Sequence, residues 1–193
     1  MRRFIGLAAI FPLLAFASRE SDLAKGKILT TFQNTPESKY QTVVSEGVIH
    51  APMKSVWNVI VDFAQYPKVI PRMVSSRVLE ATADHVRYAG HIGMPWPIDD
   101  VRYECLARLP TAQDGLDFAM VPGTGVGVKN FSGTWRLSRY QGRPNETLAV
   151  YTLYFEPHRN YPAWVMRMGS RATIEKTLES LRARIRSLET MAR

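Results

Sequence analysis

The sequence has very little cysteine, since Cys105 is the only one among its 193 residues. A lone cysteine excludes an internal disulfide bond and a zinc site built from several thiolates. The four histidines are scattered, and only His85 and His91 share a segment. On one strand these two would lie roughly 20 Å apart, too far to bind a single metal ion. The sequence therefore predicts no metal site and no cofactor.

Enzyme signatures are also scarce. There is no Gly-x-Ser-x-Gly nucleophile elbow, no His-Glu-x-x-His zinc motif and no Walker-type phosphate loop. Residues 123–127 read Gly-Thr-Gly-Val-Gly, but a dinucleotide-binding fingerprint needs a helix directly after its glycines. Because residues 128–137 alternate like a strand instead, we interpret the glycine-rich segment as a flexible hairpin loop.

Repeats and low-complexity segments are absent as well. Hydrophobic residues make up 46% of the chain and charged residues 22%, and its 12 glycines and 12 prolines follow no period. This composition excludes disordered, collagenous and solenoid proteins, and the length fits one globular domain. The formal net charge of +8 favours anionic partners without naming one.

The first residues have the pattern of a secretory signal peptide. Arg2 and Arg3 precede an uncharged segment of fourteen residues, 4–17, which ends in Ala-Phe-Ala. A helix of that length spans roughly 21 Å, less than the roughly 30 Å hydrocarbon core of a bilayer. We expect cleavage after Ala17, which makes residues 18–193 an exported protein, periplasmic or secreted. An uncleaved membrane tether is the alternative.

The remaining chain is predicted to be an α+β domain with a mostly antiparallel sheet. A short helix at residues 22–25 and a helix from Pro52 are expected among the early elements, with a broken helix or loop at 62–70. Apolar alternation and short polar connections indicate hairpins over the rest of the chain. The predicted strands are residues 27–32, 40–49, 74–81, 85–94, 99–109, 116–121, 126–140 and 148–156.

A long C-terminal helix is predicted from Pro162 to Leu188, roughly 40 Å at 1.5 Å per residue. Apolar residues spaced by three and four define one buried face: Trp164, Met168, Ile174, Leu178, Leu181, Ile185 and Leu188. Arg171 interrupts this line, so we expect a buried guanidinium neutralised by Asp99, by Asp100 or by a ligand head group. The predicted architecture is a curved antiparallel sheet wrapped around this helix.

Several strands combine large aromatic side chains with small residues on one face. Gly90, Cys105, Ala107 and Gly133 would leave space inside the sheet unless helix side chains fill it. Ligand pockets are lined by apolar walls and few polar groups. The expected ligand-binding residues, with no catalytic residue among them, are Tyr88, Trp96, Asp100, Tyr103, Phe118, Met120, Phe131, Trp135, Tyr151, Trp164, Met168 and Arg171.

Four stretches carry a family likeness in chain order. Residues 47–67 contain Gly-Val-Ile-His-Ala-Pro, then Val-Trp and Tyr-Pro; residues 94–100 read Met-Pro-Trp-Pro-Ile-Asp-Asp; residues 131–137 read Phe-Ser-Gly-Thr-Trp-Arg-Leu; residues 151–182 contain Glu-Pro, Tyr-Pro-Ala-Trp and Leu-Arg. Together they resemble the steroidogenic-acute-regulatory-related lipid transfer (START) family of the helix-grip superfamily, which also holds polyketide cyclases and plant hormone receptors. Val101 departs from the arginine that the family has after its signature aspartate, and residues 156–159 depart from its Asp-Pro-Gly-Gly turn.

The resemblance implies a helix-grip fold with a hydrophobic tunnel between the sheet and the C-terminal helix. The tunnel would hold one lipid or sterol-like molecule, and residues 122–127 and the start of the last helix would gate it. The leading hypothesis is an exported, monomeric lipid-binding or transfer protein that contacts anionic membranes transiently and binds no nucleic acid.

Two alternatives stay open. One is a cyclase, aromatase or hydrolase that uses the same cavity, with Tyr103, Asp100 and Arg171 at its polar end. The other is a chaperone-like or interaction domain whose cavity has collapsed.

Overall fold

The computed structural model of the protein describes residues 18–96 and 98–191. The predicted signal peptide, residues 1–17, lies outside these described residues. Residues 18–24 are helical, so the short N-terminal helix predicted at residues 22–25 includes earlier residues than expected. Within the two described ranges, no helix combines the length and the apolar character that a membrane span needs.

Eight strands form one curved, open antiparallel sheet in the order β1-β2-β8-β7-β6-β5-β4-β3. The long crossover from β2 to β3 carries helix α1 (Met53–Ile60) and a 3-10 helix (Phe63–Lys68). Every predicted strand boundary lies within two residues of the observed one. The strands are β1 (Leu29–Asn34), β2 (Gln41–Ile49), β3 (Met73–Ala81), β4 (His85–Ile92), β5 (Val101–Arg108), β6 (Gly115–Met120), β7 (Val128–Arg139) and β8 (Thr147–Pro157).

The sheet has one buried face because apolar residues alternate with polar ones along its central strands. On β5, Val101, Tyr103 and Cys105 are buried, whereas Arg102 and Arg108 are exposed. The same alternation holds on β7 and β8. The inner face of the sheet therefore forms one continuous apolar surface.

Helix α2 (Ala163–Met191) covers this surface and is about 43 Å long at 1.5 Å per residue. It contacts β2, β8 and α1. Its second half is held by Ile174, Leu178, Leu181 and Ile185, which are at most 3% exposed. A sheet wrapped around a long C-terminal helix is the predicted α+β helix-grip architecture, and the structure confirms it.

The first half of α2 faces differently from the prediction. Trp164 and Met168 are 67% and 63% exposed, and Met166 is buried in their place. The predicted line went from Met168 through Arg171 to Ile174 in two successive steps of three residues. Two such steps place Met168 about 120° away from Ile174 around a helix of 3.6 residues per turn, so the prediction was wrong there. The buried side of the first half instead includes Met166, which is buried, and Ser170, which is half-buried.

Arg182 fastens the N-terminal part of the domain to α2. Its Nε donates a hydrogen bond to the carbonyl oxygen of Val48 (3.0 Å), and its Nη1 donates to the carbonyl oxygen of Gly26 (2.9 Å). Gly47 makes room for this side chain, since a β carbon there would lie 2.9 Å from Nη2. Partial burial lowers the pKa of Arg182, yet the group stays charged at neutral pH.

We therefore expect Arg182→Met to lower the free energy of unfolding by about 1–3 kcal/mol, because two partly buried carbonyl groups lose their donor. Urea denaturation would measure this change. Arg186→Met, at an exposed position one turn away, is the matched control and should leave stability nearly unchanged. Equal stability of both variants would contradict the fastening role.

Candidate functional site

An apolar cavity of about 190 Å³ lies between the sheet and the first half of α2. The helix contributes small residues to it, namely Gly169, Ser170, Ala172 and Thr173, and these are too short to fill the space. The rest of the wall consists mainly of apolar side chains. They are Pro71, Ile92, Met94, Pro95, Ile98, Val101, Phe131, Leu153, Phe155, Val165 and Met166, with Arg72 exposed at the rim.

The segment after β4 forms one wall of the apolar cavity, and charged groups hold it in place. Asp100 accepts a hydrogen bond from the backbone N–H of Met94 (3.0 Å) and lies 3.0 Å from Nε2 of His91. These hydrogen bonds keep the pKa of Asp100 below its usual value. Asp99 pairs with Arg159, just before α2, at 3.1 Å. Residues 93–96 and 98–100 are thus tied both to β4 and to the start of the helix.

Behind the apolar cavity, aromatic rings fill the interior. Phe131 separates the cavity from this cluster, since its ring centroid lies 4.7 Å from that of Tyr103 and 5.5 Å from that of Phe118. At the far end Trp135 stacks on Tyr151, with centroids 4.1 Å apart and planes at 7°. We call this set the aromatic core: Phe63, Tyr66, Tyr88, Tyr103, Phe118, Phe131, Trp135 and Tyr151.

The space expected beside the small residues of the sheet is occupied. A β carbon at Gly90 would lie 2.7 Å from the hydroxyl of Tyr103, so that ring lies across the glycine. In the same way, a β carbon at Gly133 would lie 2.5 Å from Cζ of Phe118. Both rings belong to the residue paired with the glycine on the neighbouring strand. The free volume therefore lies under α2 and not beside these glycines.

Burial sets the charge state of the groups in the aromatic core. It raises the pKa values of Tyr88, Tyr103 and Tyr151 above the ordinary phenol value, and it raises the pKa of the Cys105 thiol to about 12. All four groups are therefore protonated and neutral at neutral pH. The interior offers hydroxyl groups as hydrogen-bonding partners but no thiolate nucleophile.

The twelve residues expected at the ligand fall into three groups. Phe131 lines the apolar cavity. Phe131 and five others belong to the aromatic core, and Met120 packs against it while partly buried. The other five are exposed, namely Trp96, Asp100, Trp164, Met168 and Arg171. Whether any of the twelve residues contacts a ligand stays a prediction.

The expected burial of Arg171 is wrong. Its side chain is 56% exposed and pairs with Glu175 one turn further along the helix, with Nε 2.9 Å from Oε1. Asp99 and Asp100, its expected partners, pair with Arg159 and His91 instead. The cause is the angle described above between the predicted line of residues and the buried face, because Arg171 lies on the solvent-facing side of the helix.

The expected gate at residues 122–127 does not line the apolar cavity. Val126 forms a two-hydrogen-bond bridge with Arg102, at 3.0 and 2.8 Å. The hydroxyl of Thr124 bonds the carbonyl oxygen of Val121 at 2.8 Å and the backbone N–H of Glu104 at 3.1 Å. The loop is thereby fastened to β5. The rim of the cavity lies between α2 and the segment that contributes Met94, Pro95 and Ile98.

The sequence did not point to the small residues of α2 as the cavity wall. Their cluster in the run Gly169-Ser-Arg-Ala-Thr173 was the available signal, because such residues on a covering helix leave a space beneath it. Within residues 18–96 and 98–191, no group of three or more potential ligands could hold a metal ion.

Comparison with known families gives one match: residues 49–182 fit the model of a family described as polyketide cyclase/dehydrase and lipid transport. No curated protein shows significant sequence similarity to the chain.

Solved structures with related folds include a STAR-related lipid transfer protein, STARD10 and an aromatase/cyclase. A STAR-related lipid transfer protein from Xanthomonas axonopodis (fragment 25–204) is 20% identical, with a TM-score of 0.71 over 82% of this chain and 93% of the other. Human STARD10 is 12% identical, with a TM-score of 0.68 over 96% and 82%. Zhui aromatase/cyclase from Streptomyces sp. R1128 is 17% identical, with a TM-score of 0.60 over 86% and 97%. At these identities the likeness shows a shared fold.

Trp135 lies in the aromatic core and away from the lining of the apolar cavity, so its removal should act on stability. We expect Trp135→Ala to cost about 3–5 kcal/mol of unfolding free energy, because a large stacked ring leaves a hole in the core. Urea denaturation followed by circular dichroism would measure the loss. If the variant keeps the stability of the parent but loses ligand binding, Trp135 is part of the site and not of the core.

Proposed function

Because the chain belongs to the polyketide cyclase/dehydrase and lipid transport family, we propose that it binds a lipid or another hydrophobic small molecule in the apolar cavity. The family match and the START-type structural neighbours confirm the likeness that the sequence motifs indicated. The observation that carries the proposal is the cavity itself. Its wall is almost wholly apolar, which suits a hydrophobic ligand.

The surroundings of the rim support exchange of the ligand with a membrane. Pro95, Gly169 and Ala172 line the cavity and are exposed, so the space opens to solvent. Trp96, which is 93% exposed, and Trp164 each adjoin a lining residue, on opposite sides of the rim. Exposed tryptophans partition into bilayer interfaces. The formal net charge is +8, or +6 without Arg2 and Arg3 of residues 1–17, and a positive charge favours anionic lipids. We propose transient contact with anionic membranes, during which the ligand enters or leaves.

An enzyme of the cyclase, aromatase or hydrolase type is the second candidate. The cyclase among the structural neighbours and the buried phenol of Tyr103 favour it. Of the three side chains suggested for its polar end, Tyr103 is buried whereas Asp100 and Arg171 are exposed and pair with His91 and Glu175. We propose binding without turnover. A compound released from the protein in a chemically altered form would overturn this choice.

Filling the apolar cavity should abolish binding without unfolding the protein. Thr173 lines the cavity and is half-buried, so Thr173→Phe places a ring in the space. We expect the affinity for the neutral fluorescent probe N-phenyl-1-naphthylamine to fall by about tenfold or more, which corresponds to about 1.4 kcal/mol.

Thr190→Phe, at an exposed position near the end of the same helix, is the matched control and should bind like the parent. Native mass spectrometry of the parent would identify a co-purified ligand. Unchanged probe binding by a folded Thr173→Phe variant would contradict the assignment of the site.

We further propose that the protein is exported, periplasmic or secreted, after removal of residues 1–17. The basic start, the short apolar segment and the Ala-Phe-Ala end of the sequence support this proposal. Protein isolated from its own host should have an intact mass that starts at Ser18. A mass that still includes residues 1–17 would contradict cleavage and favour the membrane tether.

A further inference from the structure

A second space, of about 310 Å³, lies between the first turns of α2 and the edge of the sheet formed by β1 and β2. We call it the outer groove. Phe155, Met166 and Ser170 line both the outer groove and the apolar cavity, so only a thin partition separates the two spaces. Met166 is central to this partition, and a methionine thioether adapts its shape more readily than a branched side chain.

The outer groove carries positive charge without a compensating carboxylate among the described residues that line it. Its two cations are Lys39 and Arg167, and both are exposed. Nζ of Lys39 donates a hydrogen bond to Oδ1 of Asn160 (2.9 Å) and lies 5.0 Å from the ring centroid of Tyr40. Cζ of Arg167 lies 4.6 Å from the ring centroid of Phe32.

Neither cation forms a salt bridge with any residue in ranges 18–96 and 98–191. Other cations of α2 do, since Arg171 pairs with Glu175 and Lys176 with Glu179. The aromatic rings hold Lys39 and Arg167 at the groove while leaving most of their hydrogen-bond donors available. Both side chains therefore suit a carboxylate or a phosphate group.

We propose that the outer groove binds the anionic head group of an amphipathic ligand whose apolar chain occupies the cavity under α2. This inference rests on the proposed ligand-binding function and adds the chemical class of the ligand. The apolar cavity alone is smaller than the roughly 300–1,000 Å³ typical of ligand pockets, whereas the cavity and groove together reach that range.

The opposite orientation is unfavourable. Among the described residues, the buried polar side chains are Ser45, Thr147 and Thr177, apart from the phenols, and no buried side chain is charged. An anionic head placed inside would lose its hydration without gaining a cationic partner. The head group therefore stays at the surface, where Lys39 and Arg167 meet it.

The test compares three compounds as competitors of N-phenyl-1-naphthylamine, all without vesicles: dodecanoate, dodecanol and inorganic phosphate. The first two share a chain and differ in charge, and phosphate has no chain. The parent should bind dodecanoate more tightly than dodecanol and should not respond to phosphate. The double variant Lys39→Gln/Arg167→Gln should bind dodecanoate about tenfold more weakly, because each exposed ion pair contributes a few-fold in affinity.

Binding of dodecanol should be unchanged in the double variant, and Lys176→Gln should bind all compounds like the parent. Equal dodecanoate affinity in the parent and the double variant would overturn the proposal, as would loss of that affinity in Arg72→Gln alone, since Arg72 lies at the other rim. A double variant that differs from the parent only in binding to phosphatidylglycerol vesicles would also overturn it, because the groove would then contact membranes and not the bound ligand. If neither the probe nor any amphiphile binds the parent, the ligand-binding function itself is wrong.

Discussion

The contact between the second half of α2 and the sheet is the constraint on which the rest of the structure depends. Ile174, Leu178, Leu181 and Ile185 are buried almost completely, and burial of such side chains contributes about 1.5–3 kcal/mol each. This contact fixes the direction of a stiff rod about 43 Å long. Because the helix is stiff, the position of the second half also determines the path of the first half over the sheet. Because that half carries glycine, serine, alanine and threonine towards the sheet, the space beneath it stays partly empty.

The aromatic core gives this empty space a firm floor. Rings from neighbouring strands lie across Gly90 and Gly133, so the deeper part of the sheet is packed and the free volume is confined to the outer end. Phe131 stands at the boundary and belongs to both regions. A helix-grip protein can thus combine a well-filled core with a binding site, because the two occupy different lengths of the same helix.

The strands were predictable within two residues, since alternation of apolar and polar side chains is a direct consequence of the pleat. The face of α2 was predictable only in its second half. In the first half the apolar side chains of Trp164, Val165, Met166 and Met168 spread over about 200° of the helix at about 100° per residue, so the sequence pattern there does not define a narrow buried side. The filling of the space beside Gly90 depends on its pairing with Tyr103 on the neighbouring strand, which no local pattern reveals. The outer groove joins residues from β1, β2 and α2 for the same reason.

The two sides of the cavity differ in how they respond to the surroundings. The floor is held by ring packing, which dissolved salt hardly affects. The wall at residues 93–96 and 98–100 is tied to the residues before α2 by the exposed pair of Asp99 with Arg159. Exposed pairs weaken as ionic strength rises, because the Debye length shortens from about 10 Å at 0.1 M to about 3 Å at 1 M. The attachment of one wall thus depends on the ionic strength, while the packing of the floor does not.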